Sequence, residues 1–175
     1  DGSGKTTQIE LLKRYLVLKG DALGVWEMEV INFPRYGENI YANLVKRYLE
    51  GEFGDINEVN PYLMALAFAG DRLLAKPLIE SWLQSGKVVI ANRYISSSKA
   101  HMGANLPDSE REEFMSWLDE LEYQTNGMPK PDLNILLNVD PKIGQENAKG
   151  KPNPDIHEKN LAHLQIASKI YFKLF

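Results

Sequence analysis

The sequence predicts an α/β fold in which a parallel sheet carries helices on both faces. Three observations support this expectation: a glycine-rich stretch precedes an amphipathic helix, strand-like and helix-like patterns alternate along the chain, and two short runs are continuously apolar. Continuous apolar runs are typical of parallel strands that are buried on both faces. Strands that alternate with helices join in parallel through helical crossovers.

The glycine-rich stretch, residues 1–8, reads DGSGKTTQ. Its GKT triplet matches the end of the phosphate-loop pattern, and apolar residues then recur at helical spacing up to Gly20. Such a loop presents backbone N–H groups at a helix N-terminus, where the helix dipole favours anions. The same letters can occur in a flexible surface turn, but the helix that follows favours the phosphate loop. We therefore expect the phosphates of a nucleotide to contact the loop residues Gly2, Ser3, Gly4, Lys5, Thr6 and Thr7.

The remaining chain alternates between the two patterns. Strands are predicted over residues 25–33, 88–91 and 133–139, and helices over residues 40–49, 62–83, 114–123 and 158–175. A polar run at residues 96–98 is expected to be a loop. No repeat or linker divides the chain, so residues 1–175 are expected to form a single domain. The full loop pattern has its first glycine ahead of Asp1, so we expect the strand that leads into the loop to lie before residue 1.

Composition and charge exclude several classes of function. With a net charge of -4 and a pI near 5.5, the chain lacks the basic surface that a binder of nucleic-acid polymers needs. The absence of cysteine excludes disulfides and thiolate zinc sites. The three histidines, His101, His157 and His163, are too scattered in the sequence to suggest a metal cage. No apolar run reaches membrane-spanning length, so we expect no membrane partner and a cytoplasmic location.

Cationic and aromatic residues follow the predicted strands. Arg35 and Arg93 come just after two of them, where ligands bind in parallel α/β sheets. Phe68 and Arg72 share one face of the long helix, where a ring could stack on a base and a guanidinium could bond it. Taken singly, an arginine after a strand is usually a solvated charge and a helix phenylalanine is usually core. Three arginines at one cleft favour an acceptor with its own phosphate, separate from the donor held by Lys5.

Six segments together resemble the thymidylate kinase family over nearly the whole chain. They are DGSGKTTQ at 1–8, FPRYG at 33–37, LAFAGDR at 66–72, NRYISSSKAHMGA at 92–104, PDLNILLNV at 131–139 and DIHEKN at 155–160. The resemblance implies a three-layer fold of the P-loop NTPase type, with a closing strand after residue 175 and a lid over about residues 145–155. It also implies phosphorylation of dTMP to dTDP with ATP and Mg²⁺, a step of dTTP synthesis, and a homodimer formed partly through the helix at 62–83.

The resemblance also gives roles to single residues that match the family's motifs. Lys5 and Thr6 would bind the ATP phosphates and Mg²⁺, with Asn92 as a second metal residue. Arg35 and Arg93 would hold the acceptor phosphate. The implied dTMP-binding residues are Asp1, Phe33, Arg35, Phe68, Arg72, Arg93, Ser97, Ser98 and His101, and the implied catalytic residues are Lys5, Arg93, Asp1, Lys149 and Lys151.

The chain departs from the family's pattern at three places. Asn92 stands where an aspartate is usual, so one negative charge is lost near the metal. His101 and Met102 replace a Tyr-Gln pair beside the sugar and base. The lid carries Lys149 and Lys151 instead of arginines, and these lysines either neutralise the transferring phosphoryl group or are solvated charges.

Two alternative functions stay open on the sequence alone. A deoxynucleoside kinase has the same fold, but a neutral hydroxyl acceptor has no need of the cation that Arg35 provides. A nucleotide-binding protein with impaired catalysis would fit Asn92 and the arginine-free lid.

Overall fold

Two parallel strands form the sheet in the part of the chain that the computed structural model describes, residues 2–23, 27–148 and 155–175. Strand β1 is Met28–Asn32 and strand β2 is Val88–Asn92. They pair in register, with Met28 opposite Val88 and Asn32 opposite Asn92. Both strands end at the same edge of the sheet, so the residues that follow them emerge side by side.

Helices make up most of the described chain. They are α1 (Lys5–Leu23), α2 (Ile40–Leu49), α3 (Pro61–Gln84), α4 (Ile95–Gly103), α5 (Arg111–Asp119), α6 (Pro141–Ala148), α7 (Ile156–Lys159) and α8 (Leu161–Leu174). A 3₁₀ turn covers Asp108–Glu110 and a π-helical turn covers Glu120–Thr125. The prediction of an α/β chain with a parallel sheet is confirmed. Within the described ranges, no helix has both the length and the apolar composition that crossing a membrane requires.

Local sequence explains where three of these helices begin. The Asn39 side chain accepts a hydrogen bond from the backbone N–H of Ala42 and caps α2. Asn60 caps α3 in the same way, and Pro61 follows at the first turn, where its missing N–H has no intrahelical partner to lose. Asp155 begins α7 with a capping box. These caps fix the starts of the elements around the strand ends.

A core of buried side chains joins α3, α4 and α5. Ile95 and Met102 of α4 and Phe114 and Leu118 of α5 are fully buried in it. The Tyr62 ring of α3 meets Phe114 edge-on, with 5.0 Å between the ring centroids. Because close-packed interiors yield little, this core gives α3 and α4 a rigid support.

Residues 133–139 are not a strand, contrary to the prediction. They run as irregular chain, with Leu133 75% and Ile135 67% exposed. A parallel strand needs a neighbouring backbone to satisfy its N–H and C=O groups. Among the described residues, no strand pairs with this segment. The segment instead lines a cavity of about 770 Å³ together with β2 and with Ile9 and Leu12 of α1.

Other element boundaries differ from the prediction for local reasons. Helix α1 continues past Gly20, because one glycine is tolerated inside a helix. Residues 96–98 are helical, because burial of Ile95 and Met102 outweighs the weak helix propensity of serine. The last predicted helix is divided into α7 and α8 at Asn160, whose extended backbone and side chain cap the second helix. Helix α6 was not predicted, and residues 25 and 26 of the first predicted strand lie outside the described chain.

Candidate active site

Residues 2–4, which belong to the phosphate loop predicted from the sequence, lead directly into α1 at Lys5. Gly2 and Gly4 have φ angles of 69° and 78°, which only glycine adopts without strain. A Cβ atom on Gly4 would meet nothing within 4 Å, whereas one on Gly2 would collide with the carbonyl oxygen of Gly144 in α6. Lys5 Nζ lies 3.4 Å from Ser3 Oγ, so the ammonium group folds back over the loop. The loop therefore joins an open turn, a cation and a helix N-terminus, which together suit an anion.

Two oxygen donors near the loop and the strand end suit a hard metal ion. Thr6 lies exposed in the first turn of α1. Asn92, the last residue of β2, donates through Nδ2 to Asn32 Oδ1 at 2.9 Å, while its own Oδ1 is buried with no hydrogen-bond partner among the described residues. A buried oxygen without a donor is unusual and is suited to a cation. Mg²⁺ prefers oxygen ligands, so the chemistry of these two side chains fits it.

Arg35 is held in place by Asp71, a buried residue of α3. Its Nε donates to Asp71 Oδ1 at 2.9 Å, its backbone N–H donates to Oδ2 at 2.9 Å, and its Nη2 donates to the Asp71 backbone oxygen at 2.9 Å. Asn39 Nδ2 adds a further bond to Oδ1 at 2.7 Å. Arg35 Nη1 also reaches Glu38, whose side chain is 62% exposed. The guanidinium is thus oriented by a carboxylate that is only 1% exposed.

Arg93 follows β2 in a strained conformation. Its φ angle is 65°, in the left-handed region that non-glycine residues rarely adopt. Strain of this kind clusters at functional sites, where the surrounding structure imposes it. The Arg93 Nη1 atom lies 3.3 Å from Nε2 of His101 in α4. The left-handed turn therefore directs the chain from the strand end into α4 at the point where Arg93 stands.

Phe68 and Arg72 lie one turn apart on α3 and line the same small cavity, as the helical spacing predicted. Arg72 is buried and donates through Nε to Glu122 Oε1 at 2.8 Å and through Nη2 to Ser98 Oγ at 2.9 Å. The Nη2 atom makes a second, short bond to Glu122 Oε1. A carboxylate in the π-helical turn thus fixes the guanidinium beside the Phe68 ring.

This small cavity brings together most of the residues that the sequence predicted for the acceptor. Its walls include Phe33, Phe68, Arg72, Arg93, Ser97, Ser98 and His101. In a comparison with known proteins, the model of the family described as Thymidylate kinase matches residues 1–175. The chain belongs to the thymidylate kinase family. The prediction of a nucleoside monophosphate kinase, a transferase, is confirmed by this membership.

Individual thymidylate kinases match most of the chain. A thymidylate kinase of Mycobacterium tuberculosis (strain CDC 1551 / Oshkosh) is 32% identical over 155 residues, which cover 89% of this chain and 70% of the relative. A probable thymidylate kinase of Pyrobaculum aerophilum is 33% identical over 173 residues, covering 98% and 77%. A probable thymidylate kinase of Pyrococcus abyssi is 31% identical over 176 residues, covering 99% and 78%.

Three of the residues that resemblance to thymidylate kinases implied cannot be placed. Asp1, Lys149 and Lys151 lie outside the described chain, as does most of the predicted lid. Two parts of the lid are described: residues 145–148, which end α6, and Asp155, which caps α7. The Asn147 side chain donates to the Gly2 carbonyl oxygen at 2.9 Å. Among the predicted loop serines, Ser97 accepts a hydrogen bond from the Tyr171 hydroxyl at 2.9 Å.

Sequence reasoning missed the two carboxylates that orient the predicted arginines. Asp71 is 1% exposed and Glu122 is 0% exposed. Acidic residues are almost never buried without a partner, so an acid among the apolar residues of α3 was the available signal for Asp71. Nothing comparable identified Glu122, because its partner Arg72 lies 50 residues away.

The three histidines, which are too scattered in the sequence to suggest a metal cage, lie close together in the structure. One ring nitrogen from each of His101, His157 and His163 lies within 4.8 Å of the other two. Their helices α4, α7 and α8 pack together, which brings residues that are far apart in the sequence into contact. All three side chains are buried, beside Arg93 at the end of β2.

Proposed function

We propose that this chain transfers the γ-phosphoryl group of ATP to the 5′ phosphate of dTMP, with Lys5 on the donor and Arg35 and Arg93 on the acceptor. Phosphorylation of dTMP, the reaction predicted from the sequence, is confirmed at the level of the family. The observation that carries the residue assignment is the in-register pairing of β1 and β2. It brings Arg35 and Arg93 to one sheet edge, beside the cavity that Phe68 and Arg72 line.

The donor side consists of the phosphate loop and the first turn of α1. Backbone N–H groups of residues 2–7 and the Lys5 ammonium group would bind the β- and γ-phosphates of ATP. Thr6 and Asn92 are the residues that would hold the metal ion, since both offer oxygen atoms. Charge neutralisation of the ATP phosphates is the chemistry that Mg²⁺ supplies when bound there.

The acceptor side consists of two arginines with different supports. Arg35 is oriented by Asp71, and Arg93 is fixed by its left-handed backbone and its contact with His101. Guanidinium groups match phosphate oxygens with two parallel hydrogen bonds, which sets the angle of the acceptor as well as its charge. Phosphoryl transfer needs in-line alignment more than covalent help from the protein, so this positioning is the main catalytic contribution we propose.

The base end of the acceptor site is apolar on one side and polar on the other. The Phe68 ring would stack on thymine, and Arg72 would donate to a base carbonyl. Because Glu122 and Ser98 already accept from Arg72, its orientation is set before the base arrives. Phe33, Ser97, Ser98 and His101 complete the proposed contacts with dTMP.

Several elements of the proposal rest on the resemblance and not on described residues. Asp1 beside the acceptor, Lys149 and Lys151 on the transferring phosphoryl group, and closure of a lid over residues 145–155 stay predictions. The three-layer arrangement with a strand before residue 1 and another after residue 175, and the cytoplasmic location, stay predictions as well.

The experiment that tests this proposal is coupled ADP release by the full-length protein with ATP and Mg²⁺. The acceptors dTMP, dUMP, dCMP, dGMP and thymidine are offered in parallel. Turnover restricted to dTMP, or strongest with it, is the expected result. Turnover with thymidine alone would make the chain a nucleoside kinase, and nucleotide binding without any turnover would make it a binding protein with impaired catalysis.

We further propose that the chain forms a homodimer through α3. Four exposed leucines lie on one face of this helix: Leu63, Leu66, Leu74 and Leu78. Leu66, Leu74 and Leu78 follow Leu63 by three, eleven and fifteen residues, which are spacings that return to the same side of a helix. Exposed contiguous apolar surface of this kind marks an interaction site more often than a free surface. Light scattering should give twice the chain mass for the wild type and one chain mass for Leu74→Glu. A monomeric wild type at micromolar concentration would refute the dimer.

A further inference from the structure

Three buried histidines form a stacked cluster behind the acceptor site. His101, His157 and His163 are 7%, 4% and 3% exposed. The His157 and His163 ring centroids are 4.4 Å apart with an interplanar angle of 24°, and the His101 and His157 centroids are 5.3 Å apart at 4°. Stacked neutral rings are compatible with this packing, whereas three buried imidazolium ions would repel one another.

The hydrogen bonds around the cluster fix which nitrogen of each ring carries a proton. A guanidinium only donates, so Arg93 Nη1, 3.3 Å from His101 Nε2, makes that nitrogen an acceptor. A neutral His101 then carries its proton on Nδ1, which lies 3.2 Å from His163 Nε2. His163 accepts there and donates from Nδ1 to Asn105 Oδ1 at 2.8 Å. One proton direction satisfies every link from Arg93 to Asn105.

The neighbouring bonds agree with this direction. Asn105 uses its amide oxygen for His163, and its Nδ2 faces the Tyr48 hydroxyl at 3.4 Å. The Tyr48 oxygen accepts that bond, so its own proton points to His157 Nε2, 3.0 Å away. Each hydrogen bond along this branch therefore has one donor and one acceptor.

The same accounting disfavours a metal ion in the cluster, although the nitrogens lie close enough for one. An ion between His101 and His163 would need the lone pair of His101 Nδ1. The proton would then move to Nε2, where it would face an N–H of Arg93. A divalent ion would also lie close to the Arg93 guanidinium. A chain of hydrogen bonds therefore explains the cluster better than a metal site does.

We propose that His163 and His101 are positioning residues for Arg93: together with Asn105 they form a hydrogen-bonded relay that orients the guanidinium toward the acceptor phosphate. This inference rests on the proposed function, because it assumes that Arg93 binds that phosphate. The relay is not the only contact of Arg93, but it reaches the guanidinium from the side of α4 and α8. Burial keeps the rings neutral, since it lowers the pKa of His101 and His157 well below the ordinary value and that of His163 to about 4.

The relay is tested by replacing His163, which is linked to Arg93 through His101. His163→Phe keeps the ring but removes the acceptor at Nε2, so the His101 proton loses its partner. We expect the KM for dTMP to rise about fivefold to tenfold with the KM for ATP unchanged, because only acceptor binding depends on Arg93. His163→Gln, whose amide can both accept and donate, should restore the KM for dTMP to within about threefold of the wild type.

Two further measurements distinguish a positioning role of His163 from a general loss of stability and from metal binding by the cluster. Leu118→Ala removes a fully buried side chain of α5 and should lower the melting temperature without changing the KM for dTMP. Long-range proton–nitrogen NMR at pH 7.5 should show His101 and His163 as Nδ1–H tautomers. Nε2–H tautomers in both rings, or one equivalent of Zn²⁺ bound by the wild type and lost in His163→Phe, would overturn the relay.

The outcomes distinguish this inference from the proposed function. Normal dTMP turnover by the wild type, with an unchanged KM for dTMP in His163→Phe, overturns the relay and leaves the proposed function in place. No dTMP turnover by the wild type overturns the proposed function itself, and the positioning role fails with it whatever the tautomers are.

Discussion

Arg35 and Asp71 are joined by three hydrogen bonds of 2.9 Å, two to the carboxylate and one to the Asp71 backbone oxygen. The pairing connects the residue that follows β1 to a buried position of α3. Because the carboxylate binds both the side chain and the backbone of Arg35, it fixes the segment between β1 and α2 as well as the guanidinium. Asp71 therefore orients Arg35, the residue proposed to bind the acceptor phosphate, without needing to touch the substrate itself.

Replacing Asp71 by asparagine should lower kcat/KM for dTMP about tenfold to hundredfold, because a displaced guanidinium no longer aligns the acceptor. The KM for ATP should stay within a factor of about two. Steady-state kinetics with each substrate varied in turn measures both effects. Glu38→Gln is the matched control, since Glu38 contacts the same guanidinium but is 62% exposed, and surface ion pairs contribute little. Equal losses in the two variants would contradict the role given to Asp71.

The buried pair of Arg72 and Glu122 gives a prediction about stability. Glu122→Leu should lower the free energy of unfolding by about 3–5 kcal/mol, because it leaves a buried guanidinium without its carboxylate. The double variant Arg72→Leu with Glu122→Leu should recover most of that loss, yet it should bind dTMP poorly. Urea denaturation measures the first effect and calorimetric titration with dTMP the second. A single variant as stable as the wild type would show that the pair contributes no such stabilisation.

The left-handed backbone of Arg93 predicts an unusual order of stability. Arg93→Gly should be more stable than Arg93→Ala by about 0.5–1 kcal/mol, because glycine avoids the steric cost of a positive φ angle. Both variants should lose dTMP phosphorylation to the same extent. At Lys99, inside α4, the order should reverse, since glycine costs about 1 kcal/mol in a helix. Urea unfolding of the four variants tests this, and the same order at both positions would exclude strain at Arg93.

The buried histidines predict that the chain loses stability in mild acid. The pKa of His163 is about 4 in the folded chain and near 6.5 when the ring is exposed, so the unfolded state binds the proton more tightly. Stability is therefore full above pH 6.5 and falls as pH decreases toward 4. From His163 alone we expect a loss of about 2 kcal/mol between pH 7.5 and pH 5.

Urea unfolding at pH 7.5, 6.5 and 5 measures this loss. His163→Gln should reduce the loss of unfolding free energy between pH 7.5 and pH 5 by about 2 kcal/mol. The guanidinium of Arg93, the hydroxyl of Tyr48 and the ring of Tyr171 contact the cluster. An identical slope in the variant would show that His163 does not titrate as its burial implies.

The sequence predicted those parts of the fold in which local pattern and burial agree. Helices α2 and α3 and strand β2 lie within about a residue of their predicted bounds, because each has a single periodic pattern and a clear cap or turn. Residues 133–139 were mispredicted because an apolar run becomes a strand only beside another strand. Helix α4 was not predicted, because the three consecutive serines are weak helix formers and the sequence pattern did not show that Ile95 and Met102 on either side of them are buried.

The candidate site was predictable to the same degree. Arg35, Arg93, Phe68 and Arg72 could be located because strand ends and helix spacing put them on known faces. The pairing of these arginines with Asp71 and Glu122, and the histidine relay, could not be predicted, because the paired residues are separated by 36 to 62 positions in the sequence. Short-range patterns carry no information about which helices pack together.

The collision that a side chain on Gly2 would make with Gly144 means that two stretches of bare main chain touch, with nothing between them to compress. The backbone of the phosphate loop and the backbone of α6 are therefore in direct contact. A shift of residues 2–4 would therefore be passed to α6 without a side chain as intermediary. Such a backbone contact tolerates substitutions of neighbouring side chains, but not insertions or deletions in either segment.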